Sequence, residues 1–183
     1  MNLSLAVLRI WVPRPLKKRL LRELYVATAR AFGAAAARDL HRLSYSELLE
    51  SFAAFTKTEA ERLLGETGRV DAVQAELHKN AYAFGRRLRK TLGLRSLDQV
   101  LAASKILYGA LGIDFEGAPS GDVTIRACYF SRFYTPVICR VVSFMDAGVA
   151  AGLSSGGRLE FSERITDGGD CCRARLVFED VRP

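Results

Sequence analysis

The sequence predicts a single α+β domain, in which a helical N-terminal half packs with a small antiparallel sheet crossed by one helix. Apolar residues recur at helical spacing in the first half, whereas the second half has short alternating runs and all four cysteines. A length of 183 residues and a hydrophobic content of 49% suit one domain with its own core. We therefore expect one domain over residues 1–183, with a helical part (1–112) and a β-rich part (113–183).

Four helices are predicted in the helical part. The first spans Arg14–Phe32, and the second begins near Ser44 or Ser46, either of which can cap a helix. The third runs from Asp71 to Leu92, and the fourth runs from Ser96 to about Gly112. Aliphatic and aromatic stripes at helical spacing are typical of a core, so these helices suggest no functional residue.

Basic residues outnumber acidic ones and give a formal net charge of +7. The excess is concentrated in the segments Arg14–Arg22 and Arg86–Arg95. Such a surface can attract nucleic acid, anionic lipid or an acidic small molecule, but a solvated helix surface is the commoner explanation. Because no zinc-finger, helix-turn-helix or RNA-binding motif accompanies the charge, we expect no nucleic-acid partner.

The N-terminal apolar run Leu3–Val12 is too short to cross a bilayer, which takes about 20 residues. It also lacks the basic start and the cleavage site of a signal peptide. We therefore expect a cytoplasmic protein with no transmembrane segment and with reduced thiols. The run is expected to pack on the domain or on a partner chain, for example in a homodimer through the N-terminal helices.

The β-rich part begins with a strand, continues with a helix and ends with a hairpin. These elements are predicted at Val123–Phe130, at Thr135–Leu153, and at Arg158–Ile165 with Cys171–Glu179. On the first strand, strict alternation places Arg126 and Cys128 on the same face.

The helix and the hairpin are predicted to bring thiols and carboxylates together. Cys139, Ser143 and Asp146 follow the spacing i, i+4, i+7 and therefore share one stripe of the helix. If Ile165 lies opposite Cys172 in the hairpin, Glu163 and Cys172 are diagonal neighbours on the core-facing side. If the stripe of Cys139, Ser143 and Asp146 faces the sheet, its side chains would form a small pocket together with Glu163 and Cys172.

Three interpretations of this cluster remain open at this point. Cys139, Cys172 and Glu163, with Cys128 as a further ligand, have the chemistry of a Zn²⁺ site. Alternatively, Cys128 is a nucleophile whose thiolate is favoured by Arg126, and a carboxylate handles protons. In the third interpretation the cysteines are buried, small apolar residues.

The C-terminal half resembles the L-2-amino-thiazoline-4-carboxylic acid hydrolase-like family. The resemblance is carried by the segments Arg126–Phe130, Leu159–Phe161 and Gly168–Cys172, together with Cys139 and Asp146. The segment Gly85–Phe178 also resembles small-molecule-binding domains of the vinyl-4-reductase type.

The first resemblance implies a small-molecule enzyme that hydrolyses a C–N bond in a cyclic amidine or thiazoline. Cys128, Asp146 and Glu163 would be catalytic, and Arg126 and Ser143 would bind the substrate. The second resemblance implies a non-catalytic sensor or carrier of a small molecule or hydrocarbon, with zinc at Cys139, Glu163 and Cys172.

Overall fold

Helices form the N-terminal half of the chain, and a four-stranded sheet with two further helices forms most of the rest. The computed structural model describes residues 12–36 and 39–178. The helices are α1 (Arg14–Phe32), α2 (Tyr45–Leu64), α3 (Val70–Leu92), α4 (Leu97–Gly109), α5 (Pro136–Val142) and α6 (Phe144–Ser154). The strands are β1 (Ile113–Gly117), β2 (Asp122–Cys128), β3 (Arg158–Glu163) and β4 (Cys172–Val177). The predicted α+β class is confirmed.

The N-terminal helices begin and end where local capping chemistry dictates. Ser44 forms a capping box at the start of α2, since its hydroxyl accepts from the Glu47 amide and its own amide donates to the Glu47 carboxylate. The Ser96 hydroxyl accepts from the Gln99 amide at the start of α4. Left-handed glycines, Gly33 and Gly93, end α1 and α3. These helix boundaries agree with the sequence pattern to within a residue or two.

The expected N-terminal contact lies mostly outside the described residues. Of the apolar run Leu3–Val12, the structure describes only Val12, which packs against the core.

Strand β1 was not predicted, because the fourth helix was expected to continue to Gly112. The helix stops at Gly109, and Gly112 takes a left-handed conformation (φ 68°) that turns the chain into the strand. Ile113 and Phe115 then point inward, while Asp114 and Glu116 point outward. This short alternation of apolar and acidic residues is typical of a strand, but it was not identified from the sequence.

All neighbouring strands are antiparallel, in the order β1-β2-β4-β3. Two β-bulges interrupt the pairing. In β2, Ala127 pairs with Asp114 and Ile125 pairs with Phe115, so Arg126 is the extra residue.

The second bulge lies in β3. Phe161 pairs with Ala174 and Glu163 pairs with Arg173, so Ser162 is the extra residue. The predicted register, with Ile165 opposite Cys172, would place Glu163 opposite Ala174 and is therefore wrong. The inserted residue turns Glu163 to the face that carries Arg173.

The helix predicted at Thr135–Leu153 is present, but it breaks at Ser143 into α5 and α6. Thr135 caps its start by accepting from the Ile138 amide. Helix α6 crosses α3 at very close range, because glycines on both helices leave room for the backbones. A Cβ added at Gly85 would lie 2.6 Å from the Val149 carbonyl oxygen, and one at Gly148 would collide with the His78 carbonyl oxygen.

Within the part of the chain that the structure describes, one helical stretch has the length and apolar composition to cross a membrane. It is Pro136–Ser154, which comprises α5 and α6, and 56% of the apolar window is buried inside the fold. Helices of this kind also form the cores of soluble proteins.

Candidate functional site

A small apolar cavity lies where α5 and α6 meet the end of β2, the start of β4 and the turn after β3. Its volume is about 70 Å³. Apolar groups form most of its wall, and three thiols, one carboxylate and several hydroxyls are set among them. The lining residues are Phe52, Leu111, Ile113, Cys128, Phe130, Ser131, Tyr134, Cys139, Val142, Ser143, Met145, Asp146, Ile165, Thr166 and Cys172.

The bulge in β2 brings Cys128 into this cavity. After the extra residue, Cys128 pairs with Ile113, and both side chains line the cavity. Burial raises the pKa of the Cys128 thiol to about 12, despite hydrogen bonds from the Phe130 and Ser131 amides. Cys128 is therefore a neutral thiol at physiological pH.

The same bulge leaves Arg126 on the outer face of the sheet. Its side chain is 61% exposed and pairs with Glu116 on the neighbouring strand, with 2.5 Å between Nη1 and Oε2. The expectation that Arg126 would stabilise a Cys128 thiolate or anchor a substrate carboxylate is therefore wrong. Alternation predicted one face for the two residues, and the bulge separates them.

Cys139 and Cys172 both line the cavity, from α5 and β4 respectively. The Ile165 amide lies 3.4 Å from the Cys172 sulfur and donates a weak hydrogen bond to it. Burial is the main cause that raises the pKa of the Cys172 thiol, and the nearby Cys139 raises it further. All four cysteines are free thiols, and Cys171 is buried outside the cavity.

Asp146 is the acidic group of the cavity. Its Oδ1 accepts a hydrogen bond of 2.9 Å from the buried Tyr108 hydroxyl. Burial raises the pKa of Asp146 to about 6, although the Tyr108 bond and the charge of Arg164 act in the opposite direction. The same surroundings, with the Asp146 charge, raise the pKa of Tyr108 well above its usual value.

Ser143 lies at the cavity wall, but its hydroxyl is already engaged. It donates to the Arg140 carbonyl oxygen at 3.0 Å, at the break between α5 and α6. The structure therefore places Ser143 beside the cavity with a local structural partner, and its substrate-binding role stays a prediction.

Glu163 does not reach the cavity. Its carboxylate pairs with Arg173, with 3.0 Å between Oε2 and Nε, and its side chain is 40% exposed. The bulge at Ser162 is the physical reason. The structure thus brings together Cys128, Cys139, Ser143, Asp146 and Cys172, and it leaves out Arg126 and Glu163.

The expected zinc site is not assembled. In residues 12–36 and 39–178, no group of three or more His, Cys, Asp or Glu side chains is arranged to hold a metal ion. The zinc set of Cys139, Glu163 and Cys172 fails because its carboxylate points away from the thiols. The zinc site expected at Cys139, Glu163 and Cys172 is therefore wrong, while a zinc cofactor as such stays a prediction.

Several polar residues of the site were not identified from the sequence. Tyr108 binds Asp146, and the Tyr134 hydroxyl forms a short hydrogen bond with Thr56. The Thr166 Oγ1 atom at the cavity is buried and has no hydrogen-bond partner within the described chain. Tyr108 and Thr56 lie on helical stripes whose spacing is typical of a core. The sequence pattern therefore did not indicate that their hydroxyls form hydrogen bonds near the cavity.

The comparisons with known proteins bear on the fold. No family model matches the chain, and no curated protein matches it. Among solved structures, the chain is similar to a trafficking protein particle complex subunit 3 from Naegleria fowleri. That subunit was crystallised covalently bound to palmitic acid. The TM-score is 0.50 at 19% sequence identity, over 71% of this chain and 95% of that one.

This neighbour corrects the functional expectation. A C–N hydrolase and a vinyl-4-reductase-like sensor were expected, whereas the fold is similar to that of a trafficking-complex subunit. Both expectations are contradicted. The catalytic roles expected for Cys128 and Asp146 stay predictions, whereas Glu163 lies outside the cavity. The family resemblance itself stays a prediction.

Proposed function

We propose that this protein is a subunit of a multi-protein assembly of the trafficking-particle kind, and that its cavity holds an aliphatic chain. The observation that carries the proposal is the cavity, found in a fold similar to that of a subunit bound to palmitic acid. A cytoplasmic location, expected from the sequence, suits such an assembly.

The chemistry of the cavity wall favours an apolar occupant. The raised pKa values of Cys128 and Cys172 keep both thiols neutral, so they behave as small apolar groups. Asp146, whose pKa is about 6, can take up a proton close to neutral pH. An aliphatic chain would therefore meet apolar carbon and neutral sulfur over most of the wall.

The size of the cavity limits how much of a chain it takes. One water molecule requires about 10–15 Å³ of such space. A volume of about 70 Å³ therefore admits about five to seven groups of that size. The cavity fits a short aliphatic chain or the end of a longer one, and a whole palmitoyl chain requires the walls to move apart.

The proposal is for a bound chain and not for self-acylation at Cys128. A thioester forms by attack of a thiolate, and a pKa of about 12 leaves almost no thiolate on Cys128 at pH 7. Mass spectrometry under denaturing conditions distinguishes the two states, because only a covalent acyl group survives unfolding.

Binding can be tested with a fluorescent fatty-acid probe whose hydrocarbon end is unmodified, cis-parinaric acid, displaced by octanoate and by palmitate. Cys139→Phe fills the cavity from α5 and is expected to weaken probe binding at least tenfold. Val137→Phe is the matched control, since Val137 lies on the same helix, is 52% exposed and does not line the cavity. Absence of saturable binding, or an equal effect of both variants, would overturn the ligand proposal.

The assembly role needs a separate measurement. The protein at its natural level, cross-linked in lysate of its source cells, is expected to elute well above the monomer mass together with other subunits. A homodimer through the N-terminal helices is one form that such an assembly can take, and sedimentation of the purified protein detects it. Elution as a monomer in the lysate would overturn the assembly role.

A further inference from the structure

An open groove runs between α1 and α3 and shares no lining residue with the cavity. Its volume is about 580 Å³, within the usual range of ligand sites. Helix α1 contributes Arg19, Arg22, Glu23, Val26, Ala27 and Arg30, and α3 contributes Asn80, Ala83 and Arg87.

The groove is strongly basic. Four arginines and one glutamate line it, which gives a net charge of +3. Glu23 pairs with Arg19 at 2.9 Å and approaches Arg87 at 3.9 Å. Arg22 and Arg30 have no carboxylate partner in the described part of the chain, so their guanidinium groups are available to an anionic ligand.

Apolar side chains also line the groove. They are those of Val26, Ala27 and Ala83. The Asn80 side chain donates to the Ala27 carbonyl oxygen at 3.2 Å and links the two helices. A ligand that fills the groove therefore meets both positive charge and small apolar side chains.

The spacing of the charges identifies the kind of ligand. Arg22, Val26 and Arg30 follow the spacing i, i+4, i+8 and share one stripe of α1. Eight residues of helix separate the two free arginines by about 12 Å. One phosphate group cannot contact both, whereas an extended peptide covers that distance with acidic residues about three or four positions apart.

We propose that the groove between α1 and α3 is the docking site for an acidic segment of a partner protein. Carboxylates of the segment pair with Arg22 and Arg30, and an apolar side chain between them packs on Val26, Ala27 and Ala83. The proposal names the chemistry of a partner for the assembly role and rests on that role. It does not depend on what the cavity binds.

The test uses the purified full-length protein and a fluorescein-labelled nonapeptide in which two glutamates four positions apart flank a central leucine, with serines between them. The two glutamates and the leucine then share one face of the extended chain. Binding is expected to saturate, to weaken as salt rises, and to fall at least tenfold in Arg22→Gln and in Arg30→Gln. Arg86→Gln is the matched control, because Arg86 is exposed on α3 beside Arg87 but does not line the groove. Thermal melts of the variants check that each one is folded.

Two further probes separate peptide binding from other anion binding. Inositol hexakisphosphate and phosphatidylserine vesicles are titrated against the same variants. Failure of the acidic peptide to bind, or an equal loss in the Arg86→Gln control, would overturn the proposal. It would also be overturned if vesicles or inositol hexakisphosphate bound through Arg22 and Arg30 while the peptide did not. If the protein elutes as a monomer from the lysate, the assembly role is refuted. If it elutes in an assembly but the peptide does not bind, only the proposal for the groove is refuted.

Discussion

Replacing Asp146 with asparagine is expected to stabilise the protein at pH 8 and to stabilise it only about a third as much at pH 4.5. The Asp146 carboxyl lies against the apolar wall of the cavity and accepts from the Tyr108 hydroxyl at 2.9 Å. An amide oxygen can accept the same hydrogen bond. The substitution therefore removes a poorly solvated charge and retains its main polar contact.

The direction of the pH dependence follows from the raised pKa. Asp146 has a pKa of about 6 in the folded protein, against 3.8 for an ordinary aspartate. As the pH rises between these values, the unfolded chain loses the proton while the folded protein keeps it, so the free energy of unfolding falls. The loss is nearly complete at about pH 7, one unit above the folded-state pKa, and persists at higher pH. A shift of about two units corresponds to at most ~3 kcal/mol, and solvent in the cavity reduces this to about 1–3 kcal/mol.

Urea unfolding followed by circular dichroism, at several values between pH 4.5 and pH 8, measures this difference. The gain in the variant should grow between pH 4.5 and about pH 7 and then stay constant. Asp114→Asn is the control, because Asp114 lies on the exposed face of β1. The reasoning is refuted if the Asp146 variant is less stable than the parent at pH 8, or if their difference does not change with pH.

Two other substitutions test the packing and the register. Gly148→Ala is expected to destabilise the protein by about 2 kcal/mol or more, because the new methyl group would strike the His78 carbonyl oxygen at the α3–α6 crossing. Gly109→Ala, with open space around the new Cβ, should be neutral or slightly stabilising in the same thermal melts, and equal effects would contradict the close crossing. Glu163→Gln should change the free energy of unfolding by less than about 1 kcal/mol, since its ion pair with Arg173 is exposed. It should also leave binding of the fatty-acid probe unchanged, and a clear loss of binding would place Glu163 at the cavity after all.

The helices could be predicted from the sequence because their signals are local. Ser44 and Ser96 cap the helices that follow them, and Gly33 and Gly93 end the helices that precede them. Each of these signals depends on a few neighbouring residues and on the backbone conformation that they favour. The helix ends that these four residues mark were therefore predicted to within a residue or two, whereas the end of α4 at Gly109 lies three residues before the predicted Gly112.

The sheet could be predicted only in part, because strand faces depend on pairing with distant residues. Strict alternation placed Arg126 with Cys128, and Glu163 with Ile165. The extra residues at Arg126 and Ser162 reverse the faces that follow, and nothing in either segment marks the bulge. The stripe of Cys139, Ser143 and Asp146 was placed correctly beside the cavity, since helical spacing is local.

The two bulges also explain why neither Arg126 nor Glu163 stands beside the thiols of the cavity. With Arg126 and Glu163 inside, Cys128 would have a cation to favour its thiolate, and a carboxylate would stand beside Cys172. With both outside, in exposed ion pairs to Glu116 and Arg173, the thiols meet mainly apolar carbon, and burial raises their pKa values. Arg164 remains near Asp146, but it does not offset the burial that raises the pKa of that carboxyl to about 6. Two inserted residues thus leave an apolar cavity with neutral sulfur in its wall, where alternation predicted thiols beside a cation and a second carboxylate.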